Sequence, residues 1–135
     1  MPSVQVRYIV HDVEAAIAFY VEHLGFTVQM HPAPAFAMLT RGELRLVLSA
    51  PNPAPGGGQA LPGRAQPQPG GWNRFAVEVG DLEQRVEALR VAGARFRTEI
   101  VDGVGGKQII LEDPSGNPIE LFEPKLPEAR LDKSR

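Results

Sequence analysis

The sequence predicts an α+β fold built of two βαβββ modules that form one curved mixed sheet around a cup. Three observations carry that prediction. A strand–Asp–helix unit is written twice, each copy is followed by three extended segments, and a Pro/Gly-rich stretch separates the copies. Val6-Arg-Tyr-Ile-Val-His-Asp12 leads into a helical pattern that closes at Leu24-Gly25-Phe26. Phe75-Ala-Val-Glu-Val-Gly-Asp81 does the same at an offset of 69, and its helical pattern closes at Ala92-Gly93-Ala94. A length of 135 residues has room for one domain, or for two small halves sharing a core.

In each copy the Asp stands where a helix N-cap is wanted, its carboxylate accepting amide protons left over in the first turn. Asp81 with Gln84 also fits a capping box. The first helix offers Val13, Ile17, Tyr20 and Leu24, and the second Leu82, Val86 and Leu89, as one apolar stripe each. Gly25 and Gly93 follow, where a left-handed residue ends a helix. The extended segments are 27–30, 35–40 and 44–49 in the first module, and 95–100, 107–112 and 118–122 in the second. Between them the turns are His31-Pro-Ala-Pro34, Arg41-Gly42, Asp102-Gly103 and Asp113-Pro-Ser-Gly-Asn117. Residues 1–124 thus read as one domain made of modules 1–50 and 72–124. In the stretch 51–71, 12 of 21 residues are Pro or Gly, which makes it an inter-module tether or a cover over a cleft. The charged segment 125–135 reads as a solvated tail.

Composition narrows the function. Hydrophobic residues are 43% and charged residues 22%, an ordinary globular balance. A formal charge of −2, with no basic cluster carrying interleaved aromatics, gives no reason to expect nucleic acid as a partner. The absence of cysteine excludes disulfides, thiolate zinc sites and cysteine nucleophiles. The first ten residues lack the plan of a signal peptide, and no 18-residue apolar run exists. A soluble, cytoplasmic protein with no membrane partner is the expectation.

The Ala16-Ile-Ala-Phe-Tyr20 segment leads to Leu24-Gly-Phe26, and Glu112-Asp-Pro-Ser-Gly-Asn-Pro-Ile-Glu-Leu-Phe122 stands near the end. With the duplicated units, these resemble the vicinal oxygen chelate superfamily, which includes glyoxalase I, extradiol dioxygenases, fosfomycin-resistance enzymes and bleomycin-binding proteins. The resemblance runs over about residues 4–124 and implies the glyoxalase/bleomycin-resistance fold. It also implies a homodimer, since relatives of this length pair two chains.

Metal-dependent members resembling this sequence hold a divalent cation at four strand positions, which map to Gln5, Val47, Arg74 and Glu120. Glu120 matches the usual ligand, and Gln5 offers an amide oxygen. Val47 has no lone pair, and Arg74 places a permanent positive charge where the family has His. The metal set is therefore degenerate: no cofactor is expected, and a divalent metal is the minority alternative. His11, His23 and His31 fall at a strand end, in the first helix and in a turn, and do not converge on these positions.

Strand alternation places side chains on the cup face. Gln5, Arg7 and Ile9 share one face of the first strand, and Arg45, Val47 and Ser49 share one face of the last strand of module one. In module two, Arg74, Ala76 and Glu78 point the same way, as do Pro118, Glu120 and Phe122. Trp72, the only tryptophan, serves either as a wall for a flat ligand or as a loop anchor. The ligand-binding set is thus Gln5, Arg7, Arg45, Ser49, Trp72, Arg74, Glu78, Glu120 and Phe122. An ion pair between Arg74 and Glu120 is expected in the volume a metal would fill. The leading reading is a protein that holds a small molecule in its cup without an intact metal site. The alternatives are a metal-dependent lyase or dioxygenase with a rearranged ligand set, a metal-free isomerase using Glu120 or Glu78 as base, and a closed structural domain.

Overall fold

The computed structural model describes residues 4–51, 57–60, 62–63 and 65–131. The chain divides into two compact units, Met1–Gly71 with Pro114–Asn117, and Trp72–Asp113 with Pro118–Arg135.

In the first unit, β1 (Val4–Ile9) enters α1 (Val13–Leu24), followed by β2 (Thr27–Ala33), β3 (Phe36–Arg41) and β4 (Leu44–Ser49). The sheet order is β1-β4-β3-β2, with β1 parallel to β4 and the other pairs antiparallel. Asp12 caps α1 by accepting the Ala15 N–H at 3.1 Å, and Gly25 ends it in the left-handed conformation at φ 73°. The buried helix face is Val13, Ala16, Phe19, Tyr20 and Leu24. Ile17, expected on this stripe, is only half-buried, and the small Ala16 takes its place against the sheet. Tyr8, Val10, Ala37, Leu39, Leu46 and Leu48 fill the core from the strands.

The first unit corrects one expected turn. His31, Pro32 and Ala33 lie in β2, and the turn falls at Pro34 and Ala35. β2 is the edge of its sheet, so Pro32 can join the strand without leaving a neighbour short of a donor. Register shifts on either side of Met30 absorb the irregularity.

The second unit repeats the plan: β5 (Ala76–Glu78), α2 (Leu82–Val91), β6 (Arg95–Phe96), β7 (Val101–Asp102), β8 (Gly106–Glu112) and β9 (Pro118–Pro124). The order is β5-β9-β8-β6, with β7 also on β8 and β5 parallel to β9. The repeat extends to single hydrogen bonds. Val10 N–H donates to Ser49 O at 3.0 Å, and Val79 N–H donates to Phe122 O at 2.9 Å. Asp81 caps α2 through the Gln84 N–H at 3.2 Å, and Glu123 accepts the Leu82 N–H at 2.9 Å. Leu82, Val86 and Leu89 form the buried helix face, as expected.

Of the strand expected over 95–100 only Arg95–Phe96 forms; β7 lies beyond it and takes in Asp102, which was expected to open a turn. Arg97 N–H bonds to Ile110 O at 2.8 Å, while the Thr98 hydroxyl, not a backbone carbonyl, accepts the Ile110 N–H at 3.1 Å. A threonine side chain thus replaces one rung of the ladder, and the backbone leaves the sheet over residues 97–100. Beyond β9 the segment folds into a 3₁₀ turn, Pro127–Ala129. The Leu131 N–H donates to Glu78 Oε1 at 2.6 Å.

Candidate functional site

The face of the first sheet turned away from α1 is laid out in rows by the strand register. Gln5 lies beside Arg45 and Thr40, Arg7 beside Val47 and Met38, and Ile9 beside Ser49 and Phe36. Gln5 and Arg7 are exposed, whereas Val47 and Ser49 are buried. One end of the face is fixed by the Asp-Pro-x-Gly-Asn turn. The Asn117 amide donates to Ile9 O at 2.7 Å and accepts the Gly70 N–H at 2.8 Å, and Ser115 Oγ accepts the His11 N–H at 2.8 Å. Asn117 is 4% exposed, so these bonds satisfy a polar group that burial would otherwise penalise. Strand alternation had placed Gln5, Arg7, Arg45 and Ser49 on this face. Met38 and Phe36 had no place in that reading, although the same alternation applied to β3 exposes them.

In the second unit the corresponding face carries a polar strip. Glu120 Oε1 accepts from Arg74 Nε and lies 3.0 Å from both Nε and Nη2, and Arg74 Nη1 donates to Trp72 O at 3.1 Å. The Trp72 ring, 66% exposed, lies over the Arg97 guanidinium at 4.7 Å. Arg97 Nε donates to Glu112 Oε2 at 2.8 Å, and Arg95 lies 3.8 Å from the same carboxylate. Two Arg–Glu pairs, Arg74–Glu120 and Arg97–Glu112, thus meet at Trp72, the first at its carbonyl and the second at its ring. Arg74 is fixed by three bonds and Arg97 is held between carboxylate and indole, so both guanidinium planes are preorganised. Of this strip, sequence reasoning singled out Trp72, Arg74 and Glu120 and missed Arg97 and Glu112. Glu112 pairs with Pro118 in the β8–β9 register and alternates in step with Glu120, which is the signal that would have found it.

Glu78 and Phe122 pair across β5 and β9. Glu78, a candidate base, accepts from the Leu131 backbone, and Glu120, the other candidate, accepts from Arg74.

Three of the four positions mapped to metal ligands offer no free donor. Val47 is a buried hydrocarbon, and the Glu120 carboxylate is engaged by a guanidinium that cannot lose its charge. Among the described residues no three His, Cys, Asp or Glu side chains are grouped to hold a metal ion. His31 Nε2 lies 3.4 Å from Glu14, and His23 stands edge-on to Phe19 at 5.6 Å. Among the described residues no helix is long and apolar enough to cross a membrane.

A family model described as the Glyoxalase/Bleomycin resistance protein/Dioxygenase superfamily matches residues 3–121. No curated protein sequence matches. Among solved structures, lactoylglutathione lyase from Agrobacterium tumefaciens aligns with a TM-score of 0.67 at 19% identity, over 90% of this chain and 94% of that one. A superfamily member from Sphaerobacter thermophilus aligns at 0.68 and 25% identity, covering 88% of this chain and 94% of its own. TnmS3, an antibiotic binding protein from a Streptomyces species, aligns at 0.65 and 23% identity, covering 90% and 93%. These likenesses establish the fold, α+β with two βαβββ modules.

Proposed function

The chain belongs to the glyoxalase/bleomycin resistance protein/dioxygenase superfamily, and we propose that it binds a small organic molecule on its sheet faces without using a metal ion. The observation that carries this reading is the Arg74–Glu120 ion pair, 3.0 Å, at two of the positions that the family resemblance maps to metal ligands. A carboxylate already accepting from an arginine is a poor metal ligand. An arginine held in place by that carboxylate is a good donor for a polar organic group.

The surroundings suit such a ligand. Trp72 packs on Arg97 yet stays two-thirds exposed, which leaves aromatic surface for stacking. On the first unit, taken by itself, Met38 lies in the row of Arg7 and Phe36 in that of Ile9, so that face also offers apolar side chains. Among proteins of the same fold, one structure is described as an antibiotic binding protein and another as a lyase, so the fold alone decides nothing between binder and enzyme.

Tryptophan fluorescence tests the proposal, because Trp72 is the only tryptophan in the chain. Titration with a panel of neutral planar compounds is expected to change its emission saturably for at least one, in protein stripped with a chelator. Elemental analysis of protein purified without chelator is expected to find no stoichiometric transition metal. A bound metal that is lost in Glu120→Gln would overturn the reading and move the chain to the lyase and dioxygenase side of its superfamily.

A further inference from the structure

The two units treat their arginines differently. On the open face of the second sheet Arg74, Arg95 and Arg97 are all paired with carboxylates, Glu120 and Glu112; Arg85, whose buried Nε has no partner among the described residues, lies on α2 and not on that face. In the first unit, the face turned away from α1 carries Arg7 and Arg45 and, in its three register rows, no Asp or Glu. Arg45 Nε is buried and has no hydrogen-bond partner among the described residues. A buried guanidinium donor without an acceptor is rare in folded proteins and marks a place where an external acceptor would be accommodated.

The register brings the second arginine into reach. Gln5 lies opposite Arg45 and Arg7 opposite Val47, so the two arginines occupy neighbouring strands, two residues apart and on one face. Strands about 4.8 Å apart with a rise of about 3.3 Å per residue separate their α-carbons by roughly 8 Å. An arginine side chain is long enough to span that gap, and the Arg7 guanidinium lies against Gly57. Thr40 and Gln5 flank Arg45 in its own row with an alcohol and an amide, and the half-buried Met38 supplies hydrocarbon in the row of Arg7, across the buried Val47. Donors at one end and apolar surface beside them match an anionic head on an apolar body.

We infer that Arg7 and Arg45 form the binding site for the anionic group, carboxylate or phosphate, of an amphipathic organic ligand. This inference rests on the proposed small-molecule-binding function and adds the charge class of the ligand. Bidentate guanidinium bonds supply the recognition, and the absence of a resident carboxylate leaves the positive charge for the ligand to neutralise.

Nitrogen-15 arginine NMR at constant ionic strength is the test, with inorganic phosphate and benzoate as separate probes. The Arg45 and Arg7 Nε–Hε signals are expected to shift saturably, at lower concentration than those of Arg74 and Arg97. Arg45→Gln should weaken the tighter-binding probe about tenfold or more, the scale of one charge-assisted hydrogen bond. Arg7→Gln, at an exposed position, should do the same in a protein whose core is untouched. Tighter binding of benzoate would assign a carboxylate with an apolar body, and tighter binding of phosphate a phosphate ester. Shifts that are linear in concentration and equal for all arginines, or unchanged affinity in both variants, would overturn the inference. Trp72 emission responding to neutral compounds alongside that result would leave the binding function standing and remove only its anionic character. Stoichiometric metal at Glu120 would overturn the metal-free reading and, with it, the inference that rests on it.

Discussion

Replacing Arg74 by His should turn a metal-repelling position into a metal-attracting one. Arg74 and Glu120 are 27% and 17% exposed at their side chains, a setting in which an effective dielectric near 20 applies. A divalent cation about 4 Å from the guanidinium would then meet a repulsion of about 8 kcal/mol. Glu120 offers an attraction of like size, but to coordinate it must leave Arg74 and forfeit about 4 kcal/mol of its present pairing. The pair as a unit therefore has nothing to draw a cation out of water. In Arg74→His the carboxylate is free, the repulsion is gone at neutral pH, and an imidazole stands two residues before β5, the strand that pairs with that of Glu120. Titration calorimetry with nickel should give no binding heat for the wild type and submillimolar binding for Arg74→His. Arg74→Met separates loss of charge from gain of a ligand and should bind more weakly than the histidine variant. Micromolar nickel binding by the wild type, abolished in Glu120→Gln, would refute the reasoning. So would a histidine variant that folds normally and binds no better than the wild type.

The fold and its surface ion pairs make further predictions. A Cβ at Gly106 would sit 2.2 Å from Glu123 O, where β8 and β9 run side by side, so Gly106→Ala should lower stability by roughly 1–3 kcal/mol, read as a drop in Tm of several degrees. A Tm within one degree of wild type would show that the strands part without strain. The Lys107 ammonium, hydrogen-bonded to Glu83, holds that carboxyl below the usual carboxylate range and is itself held above the usual lysine range. The stability Glu83 contributes is therefore present above the ordinary carboxylate range and lost as pH falls through its lowered folded value. Lys107→Met should move the Glu83 carboxyl titration, followed by carbon-13 NMR, upward. The family resemblance also implies a homodimer, for which sedimentation at micromolar concentration should give about twice the chain mass of 14.7 kDa. A value at the chain mass would remove that expectation.

The sequence made the architecture legible because its strongest signals are local. An Asp before a 3.6-residue stripe, with a glycine after it, is enough to place a helix, and both helices begin within a residue of the expected position. Strand boundaries failed where pairing rather than propensity decides them. Pro32 looks like a turn residue until β2 is known to be an edge, and nothing in 95–100 says that Thr98 will take the Ile110 N–H. The candidate site was legible on the first and last strands of each module, where the family motif gives positions. On β3 and β8 alternation gives the face, but which residue lies opposite Val47 or Glu120 depends on register, and register is a long-range property. Met38 and Ile110 hold those places.

The two modules also show what a duplicated scaffold constrains. The rows facing the helices stay apolar in both copies: Tyr8 and Leu48 in one correspond to Val77 and Leu121 in the other. Those rows must pack, and a polar group there would cost stability with no compensating bond. On the other face the same positions have parted company. Gln5 stands where the second copy has Arg74, Arg7 where it has Ala76, and Val47 where it has Glu120. Substitution there changes charge and hydrogen bonding without emptying a core, so one copy pairs Arg74 with Glu120 while the other carries Arg7 and Arg45 with no Asp or Glu in the same register rows. The repeat preserves the packing, and the chemistry is carried by the positions at which the repeat fails.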